Sequence, residues 1–169
     1  LLREKDRHGV IDLRAFYVRR ALRIFPLYYA VLLIYVVLVF ALERHSKVGQ
    51  DFFSNLIYFA TYTSNWFVAL DGRTIFYFSW SLAAEEQFYL VWPFVVGYVS
   101  TRTLAKVCWA CIGLALALRV GLLMGGAHTI GLYVTTVTRM DSLCLGAVFA
   151  MGLRSPVWYP RLTRWAWPV

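Results

Sequence analysis

Two adjacent glutamates, Glu85 and Glu86, interrupt a stretch (residues 75–99) that is otherwise apolar enough to sit in a membrane. They fall in the run Ser79-Trp80-Ser81-Leu82-Ala83-Ala84-Glu85-Glu86-Gln87-Phe88-Tyr89-Leu90. A carboxylate at bilayer depth costs several kcal/mol unless it is paired, protonated or facing a wet cavity. Neighbours on a helix point about 100° apart, so the two cannot share one shielded partner. Arg119, Arg139 and Asp141 lie in further apolar stretches. Their combined cost marks the set as a candidate catalytic site; the competing reading is a set of buried pairs that hold helices together. Either glutamate is expected to pair with Arg139 or Arg119, or to accept a proton during a reaction. Arg139 and Asp141 are two residues apart, point to different sides and need separate partners.

A second cluster is basic. Arg19, Arg20 and Arg23 precede Pro26, and their spacings of three and four residues place them on one helical face. Guanidinium forks bind phosphates in bidentate fashion. A cytoplasmic membrane flank is also rich in arginine, and the residues alone leave both readings open. The three cysteines carry less. Cys108 and Cys111 have CxxC spacing, but no His or second pair is near, and Cys144 lies in another apolar run. They read as small packing residues, with no metal-binding set.

The elements that must position these groups are membrane helices. Sixty per cent apolar residues and a mean hydropathy of +0.60 are too high for a soluble domain of 169 residues. The net charge of +8 raises nucleic acid as a partner. No basic helix interleaved with exposed aromatics supports that, and nucleic acid is excluded. Seven of the seventeen Lys/Arg fall in residues 3–23, ahead of the first apolar run, as in a cytoplasmic juxtamembrane segment. The expected fold is therefore all-α: a polytopic transmembrane bundle forming a single membrane domain. Residues 1–23 form a basic, partly helical cytoplasmic segment, and residues 24–42, 75–99, 106–124 and 129–153 are transmembrane helices. Residues 52–70 have the length of a span but carry Asn55, Thr61, Thr63, Ser64 and Asn65 among Tyr58 and Tyr62. Such a segment lines a cavity or re-enters without crossing. Crossing gives 8 Lys/Arg inside against 7 outside; re-entry gives 12 against 3. The asymmetry favours re-entry. Gly146 and Ala150 offer a surface for close helix approach. Both chain ends read as cut through membrane segments, so an internal fragment is expected.

Three blocks together resemble the integral-membrane acyltransferase family 3. They are Phe16-Tyr17-Val18-Arg19-Arg20-Ala21-Leu22-Arg23-Ile24-Phe25-Pro26-Leu27-Tyr28-Tyr29, then Trp80 to Leu90, then Arg139-Met140-Asp141-Ser142-Leu143. Their order and spacing cover nearly the whole chain, and the Trp80 block is the most diagnostic. The resemblance implies a protein of roughly ten membrane helices, each about 20 residues long, in a bacterial inner membrane. It implies transfer of an acyl group, usually acetyl, from acyl-CoA to a hydroxyl of a glycan or glycolipid acceptor. Acyl-CoA is then a donor substrate, and no cofactor is held permanently. Arg19, Arg20 and Arg23 match the motif that handles acyl-CoA, Glu85 and Glu86 the carboxylate pair, and Arg139 and Asp141 the later charged motif. Two departures stand out. The histidine of the family's first membrane helix has no counterpart here, since His8, His45 and His128 all lie in polar settings. Many members also carry His two residues before the motif tryptophan, where this chain has Phe78. The chain alone is thus expected to bind or scaffold without catalysing. The alternative from another class is a proton-coupled transporter or flippase-like module that uses the same buried Glu and Arg residues.

Overall fold

The computed structural model describes residues 1–71, 75–126, 129–156 and 158–160. Among them every regular element is a helix. The short α1 (Leu2–His8) closes at Gly9, whose φ of 72° returns its N–H to the Lys5 carbonyl at 2.8 Å. Only a residue without Cβ takes that conformation cheaply. Asp12 then caps α2 (Leu13–Leu42), its carboxylate accepting the Ala15 N–H at 2.8 Å. Nothing between residues 13 and 23 breaks a helix, so α2 runs straight into the apolar stretch and through Pro26. Its 30 residues make a rod about 45 Å long. The expected span 24–42 is therefore only the distal part of one helix, and Arg19, Arg20 and Arg23 ride on the same rod.

Residues 52–70 form no single rod. They fall in α3 (Lys47–Ser54), α4 (Leu56–Ala60) and α5 (Ser64–Asp71), with breaks at Asn55 and at residues 61–63. Tyr62 sits in the second break with a left-handed φ of 55°. These short helices pack on one face of α2. Tyr28, Leu32 and Val39 meet Phe52, Phe59, Tyr62, Phe67 and Val68 in a continuous apolar core. The last carbonyls of a helix lack partners within it. Here the Tyr28 hydroxyl donates to the Phe59 carbonyl at 2.7 Å and the Tyr29 hydroxyl to that of Ala60 at 2.9 Å. Two tyrosines of α2 thus satisfy the end of α4.

The carboxylate-bearing helix, α6, starts at Trp80 and ends at Tyr98. The expected start at residue 75 was too early. Phe76 adopts a left-handed φ of 66° and residues Tyr77–Ser79 form a 3-10 turn first. Conversely, α7 (Thr101–Met124) begins five residues before the expected 106, because the Ser100 side chain caps it by accepting the Thr103 N–H at 3.2 Å. The expected span 129–153 divides into α8 (Thr129–Val134) and α9 (Thr136–Gly152) at Thr135, whose hydroxyl bonds that of Thr138 at 2.8 Å. Helix α9, with 17 residues, is about 25 Å long, short of a bilayer core of roughly 30 Å.

Helices α7 and α9 form the most extensive pair. Their contact buries Cys108, Ala115 and Cys144, and all three cysteines are free thiols. Small side chains let the two backbones approach. Gly146 and Ala150 are instead exposed, and a Cβ built at Gly146 meets nothing within 4 Å. The expected close approach there is not made among the described residues. Helix α1 fastens the other end of the molecule. Lys5 donates to the Val96 and Val99 carbonyls at 2.7 and 2.6 Å, capping the C-terminus of α6, and Asp6 pairs with Arg154.

Among the described residues, two helices, α2 and α7, are long and apolar enough to cross a membrane. Only 17% and 11% of their most apolar windows are buried, whereas the core helix of a soluble protein would be covered on most sides. Leu22, Leu27, Leu33, Val37 and Leu42 of α2 are all more than half exposed. Contiguous apolar surface on this scale belongs against lipid or further protein.

One contact in this architecture is tight enough to test. A Cβ at Gly49 would stand 2.0 Å from the Glu43 carbonyl oxygen, a backbone atom that cannot swing away. Gly49→Ala should destabilise the protein by about 1–3 kcal/mol, the usual range for overpacking, and lower its melting temperature in detergent. An unchanged melting temperature would mean that the turn between α2 and α3 does not have this geometry.

Candidate functional site

The basic motif and the carboxylate motif meet. Arg20 on α2 donates through Nε to Glu86 Oε2 at 3.1 Å and through Nη2 to Glu86 Oε1 at 2.7 Å. Both side chains are largely withdrawn from solvent, at 19% and 14% exposure. The Arg20 guanidinium also lies 3.6 Å from the centre of the Tyr89 ring, a cation–π contact that helps desolvate it. One turn towards the chain start, the Tyr17 hydroxyl donates to the Leu90 carbonyl at 2.7 Å. Two polar straps thus hold α2 to the middle of α6.

The partnership corrects the sequence expectation. Glu86 pairs with Arg20, not with Arg119 or Arg139, and Glu85 is exposed with no hydrogen bond or ion pair among the described residues. Arg119 instead donates to the Asp141 carboxylate at 2.9 Å and to the Thr138 carbonyl, tying α7 to α9. Arg139 lies over Trp80 at 5.2 Å and Tyr133 at 4.8 Å, with no carboxylate partner among the described residues. Arg139 and Asp141 therefore do have separate partners, as their spacing requires. The three arginines of the basic motif are not equivalent either. Arg20 is engaged, while Arg19 and Arg23 are exposed and make no ion pair among the described residues.

Beside the Arg20–Glu86 pair lies a half-open cavity of about 480 Å³. Its wall is mostly apolar and aromatic, from Phe25, Tyr62, Trp66, Tyr89 and Leu90, with Arg20, Glu86 and Gln87 as the polar edge. Gln87 is saturated. Its Nε2 donates to the Tyr62 carbonyl and to Asn65 Oδ1, both at 2.8 Å. Its Oε1 accepts from Trp66 Nε1 at 3.2 Å and from the Thr136 hydroxyl at 2.5 Å. Asn65, fully buried, closes the ring by donating to the same Thr136 hydroxyl at 2.9 Å. Thr136 lies one turn before Arg139, so the third motif is tethered to the second through this amide.

Gln87, Asn65, Trp66 and Thr136 were not among the expected site residues. A signal for them existed: the polar residues of 52–70 demanded a cavity or a polar partner, and Gln87 is the side chain of α6 that meets them. His128 falls outside the described residues, as do Gly72 and Arg73. Among the described residues no three His, Cys, Asp or Glu side chains gather as a metal site.

No protein-family model matches the chain, and no solved structure matches it. Curated relatives do. O-acetyltransferase OatA of Staphylococcus aureus (strain NCTC 8325 / PS 47) is 31% identical over 177 aligned residues, covering 95% of this chain and 27% of that protein. The chain is related to bacterial O-acetyltransferases. Peptidoglycan O-acetyltransferase OatA of Listeria monocytogenes serovar 1/2a is 29% identical over 169 aligned residues, 89% of this chain and 26% of that protein. The resemblance read from the three motifs is thereby upheld at the level of an O-acyltransferase family. The chain spans about a quarter of the length of the curated O-acetyltransferases it matches.

The paired motifs make a direct prediction. A double-mutant cycle on Arg20→Ala and Glu86→Ala should give a coupling of about 1–3 kcal/mol, above the usual value for exposed pairs because both groups are mostly desolvated. Thermal or denaturant unfolding in detergent supplies the four stabilities. Additive effects would show that the two charges do not meet.

Proposed function

We propose that this chain is part of a polytopic membrane O-acyltransferase of the bacterial plasma membrane. The enzyme moves an acetyl group from acyl-CoA to a hydroxyl of a sugar-containing cell-envelope acceptor. The observation that carries the reading is the bidentate Arg20–Glu86 pair at the edge of a cavity. It joins the phosphate-suited motif to the carboxylate motif at one place, in a chain whose relatives are named for O-acetyl transfer. The exposed apolar faces of α2 and α7 support a membrane setting, with α6 and α9 as further membrane helices and 52–70 as an embedded, non-crossing segment.

The reaction needs three things. The acceptor hydroxyl must lose its proton, its oxygen must bond to the thioester carbonyl carbon, and the carbon–sulfur bond must break to release the CoA thiolate, which takes up a proton. Coenzyme A carries a pyrophosphate and a further phosphate, and exposed guanidinium groups suit those anions. Arg19 and Arg23 are assigned that task. Arg20 belongs to Glu86: with both oxygens occupied, Glu86 orients the guanidinium and shapes the cavity while the pair stands. Glu85 is the freer carboxylate for proton transfer. Arg139 has its ring contacts but no counter-charge among the described residues, and suits developing negative charge. Asp141 belongs to the α7–α9 contact through Arg119. A transporter or flippase-like role for the same residues has no support among the relatives.

The test uses the full-length protein in detergent. Acetyl-CoA binding is measured by calorimetry for wild type and for Arg19→Ala plus Arg23→Ala. Loss of two charge-assisted phosphate contacts should weaken binding at least about tenfold, at ~1.5–3 kcal/mol for each hydrogen bond to a charged group. Unchanged affinity would reduce the two arginines to a topology signal. No binding by folded wild type would remove acyl-CoA as donor. Separately, Glu86→Gln should abolish acetyl transfer while expression is retained; loss of the folded protein instead would make the glutamate structural.

A further inference from the structure

Away from the Arg20–Glu86 pair, the contact of α7 with α9 leaves a second half-open cavity, of about 500 Å³. The two helices run antiparallel, so the start of α7 meets the end of α9. The cavity is a groove that follows α7 from Thr101 to Trp109, a helical distance of about 12 Å. Its wall is apolar, from Ala105, Trp109, Leu145, Val148 and Phe149. Trp109 and Phe149 are more than half exposed, as is Trp158 at the groove's far side.

One end of the groove is basic. Arg102 lines it, is exposed, and makes no hydrogen bond or ion pair among the described residues. Lys106, also exposed, lies four residues on and shares that face of α7. Past Thr101, Met151 and Ser155 the groove opens into a smaller cavity of about 240 Å³ that adds Leu2, Asp6 and Arg154. Arg154 already holds the Asp6 carboxylate, which leaves Arg102 and Lys106 as excess positive charge.

An apolar slot that ends in unmatched cations is complementary to an amphiphile with a hydrocarbon tail and an anionic head. A protein helix is about 10–12 Å across; laid over this groove it would cover Arg102 and would have to supply its own carboxylate. A lipid phosphate brings the charge and leaves the guanidinium at the wet boundary, where long basic side chains reach out of hydrocarbon. Indole rings gather at the same boundary, and Trp109 and Trp158 flank the slot.

We propose that this groove is a phospholipid site: one acyl chain lies between α7 and α9, and the anionic phosphate rests against Arg102. The proposal rests on the membrane setting given above and on no step of acyl transfer.

The experiment separates head from tail. The full-length protein in detergent is titrated with phosphatidylglycerol and with phosphatidylcholine of the same acyl chains, and retained lipid is counted by native mass spectrometry. Wild type should hold one phosphatidylglycerol about fivefold more tightly than phosphatidylcholine, the worth of one basic side chain near a membrane surface. Arg102→Gln should bind both equally, at the wild-type affinity for phosphatidylcholine. Ala105→Phe, which fills the slot below Arg102, should lose the retained lipid of either kind with its melting temperature in lipid-free detergent unchanged. No preference in wild type overturns the proposal, as does a preference that survives in Arg102→Gln or retention that survives in Ala105→Phe. A fall of several degrees in the melting temperature of Ala105→Phe also overturns it, because another part of the enzyme would then be packed in the groove. These failures leave the membrane setting intact. Recovery of the full-length protein in the aqueous fraction without detergent removes that setting, and this proposal with it.

Discussion

Charge desolvated beside apolar surface has to be neutralised locally, and in this chain the Arg20–Glu86 pair meets that constraint at the point where everything else converges. Its fork geometry fixes the rotation of α6 relative to α2. That rotation sends Gln87, the next residue, towards the short helices α4 and α5, where its amide is used fully. The same amide reaches α9 through Thr136. From one ion pair, a sequence of hydrogen bonds runs through four elements that are far apart in the chain. Aromatic rings flank it, the Tyr89 ring lying against the Arg20 guanidinium at its start.

The molecule divides its charges by task. Arg119 and Asp141 close on each other where α7 meets α9. Lys5, Asp6 and Arg154 gather at the end formed by α1, the C-terminus of α6 and the chain beyond α9. Arg19 and Arg23 remain exposed on α2, and Arg139 rests among rings. A purely structural account explains the first two groups well. It does not address the third, because Arg19 and Arg23 are exposed on α2 and line none of the cavity beside Arg20.

The charged residues of the candidate site were legible because charge beside or within an apolar run is conspicuous. The two motifs stood out as costly, and the need for separate partners for Arg139 and Asp141 followed from helix geometry. The identity of the partners was not legible. Treating the first 23 residues as a flank outside the span removed Arg20 from the candidates for Glu86, although the Asp12 cap starts a helix that carries Arg20 up to the apolar stretch. Element ends failed for related reasons. Phe76 and Tyr62 hold left-handed backbones that neither side chain favours, so no local signal marks the late start of α6 or the break between α4 and α5. The split of 129–153 at Thr135 depends on hydroxyl bonding that hydropathy does not register.

The chain separation of the central pair has a consequence for biosynthesis. Glu86 follows Arg20 by 66 residues, and α2 is complete well before α6 leaves the ribosome. With two carboxylates in its middle, α6 is a poor candidate to partition into lipid alone. Helix α2 partitions readily and carries the counter-charge on its own rod. In the membrane setting proposed above, its prior arrival turns an unfavourable insertion into a docking event, and the order of the helices along the gene becomes part of how the carboxylate motif is accommodated.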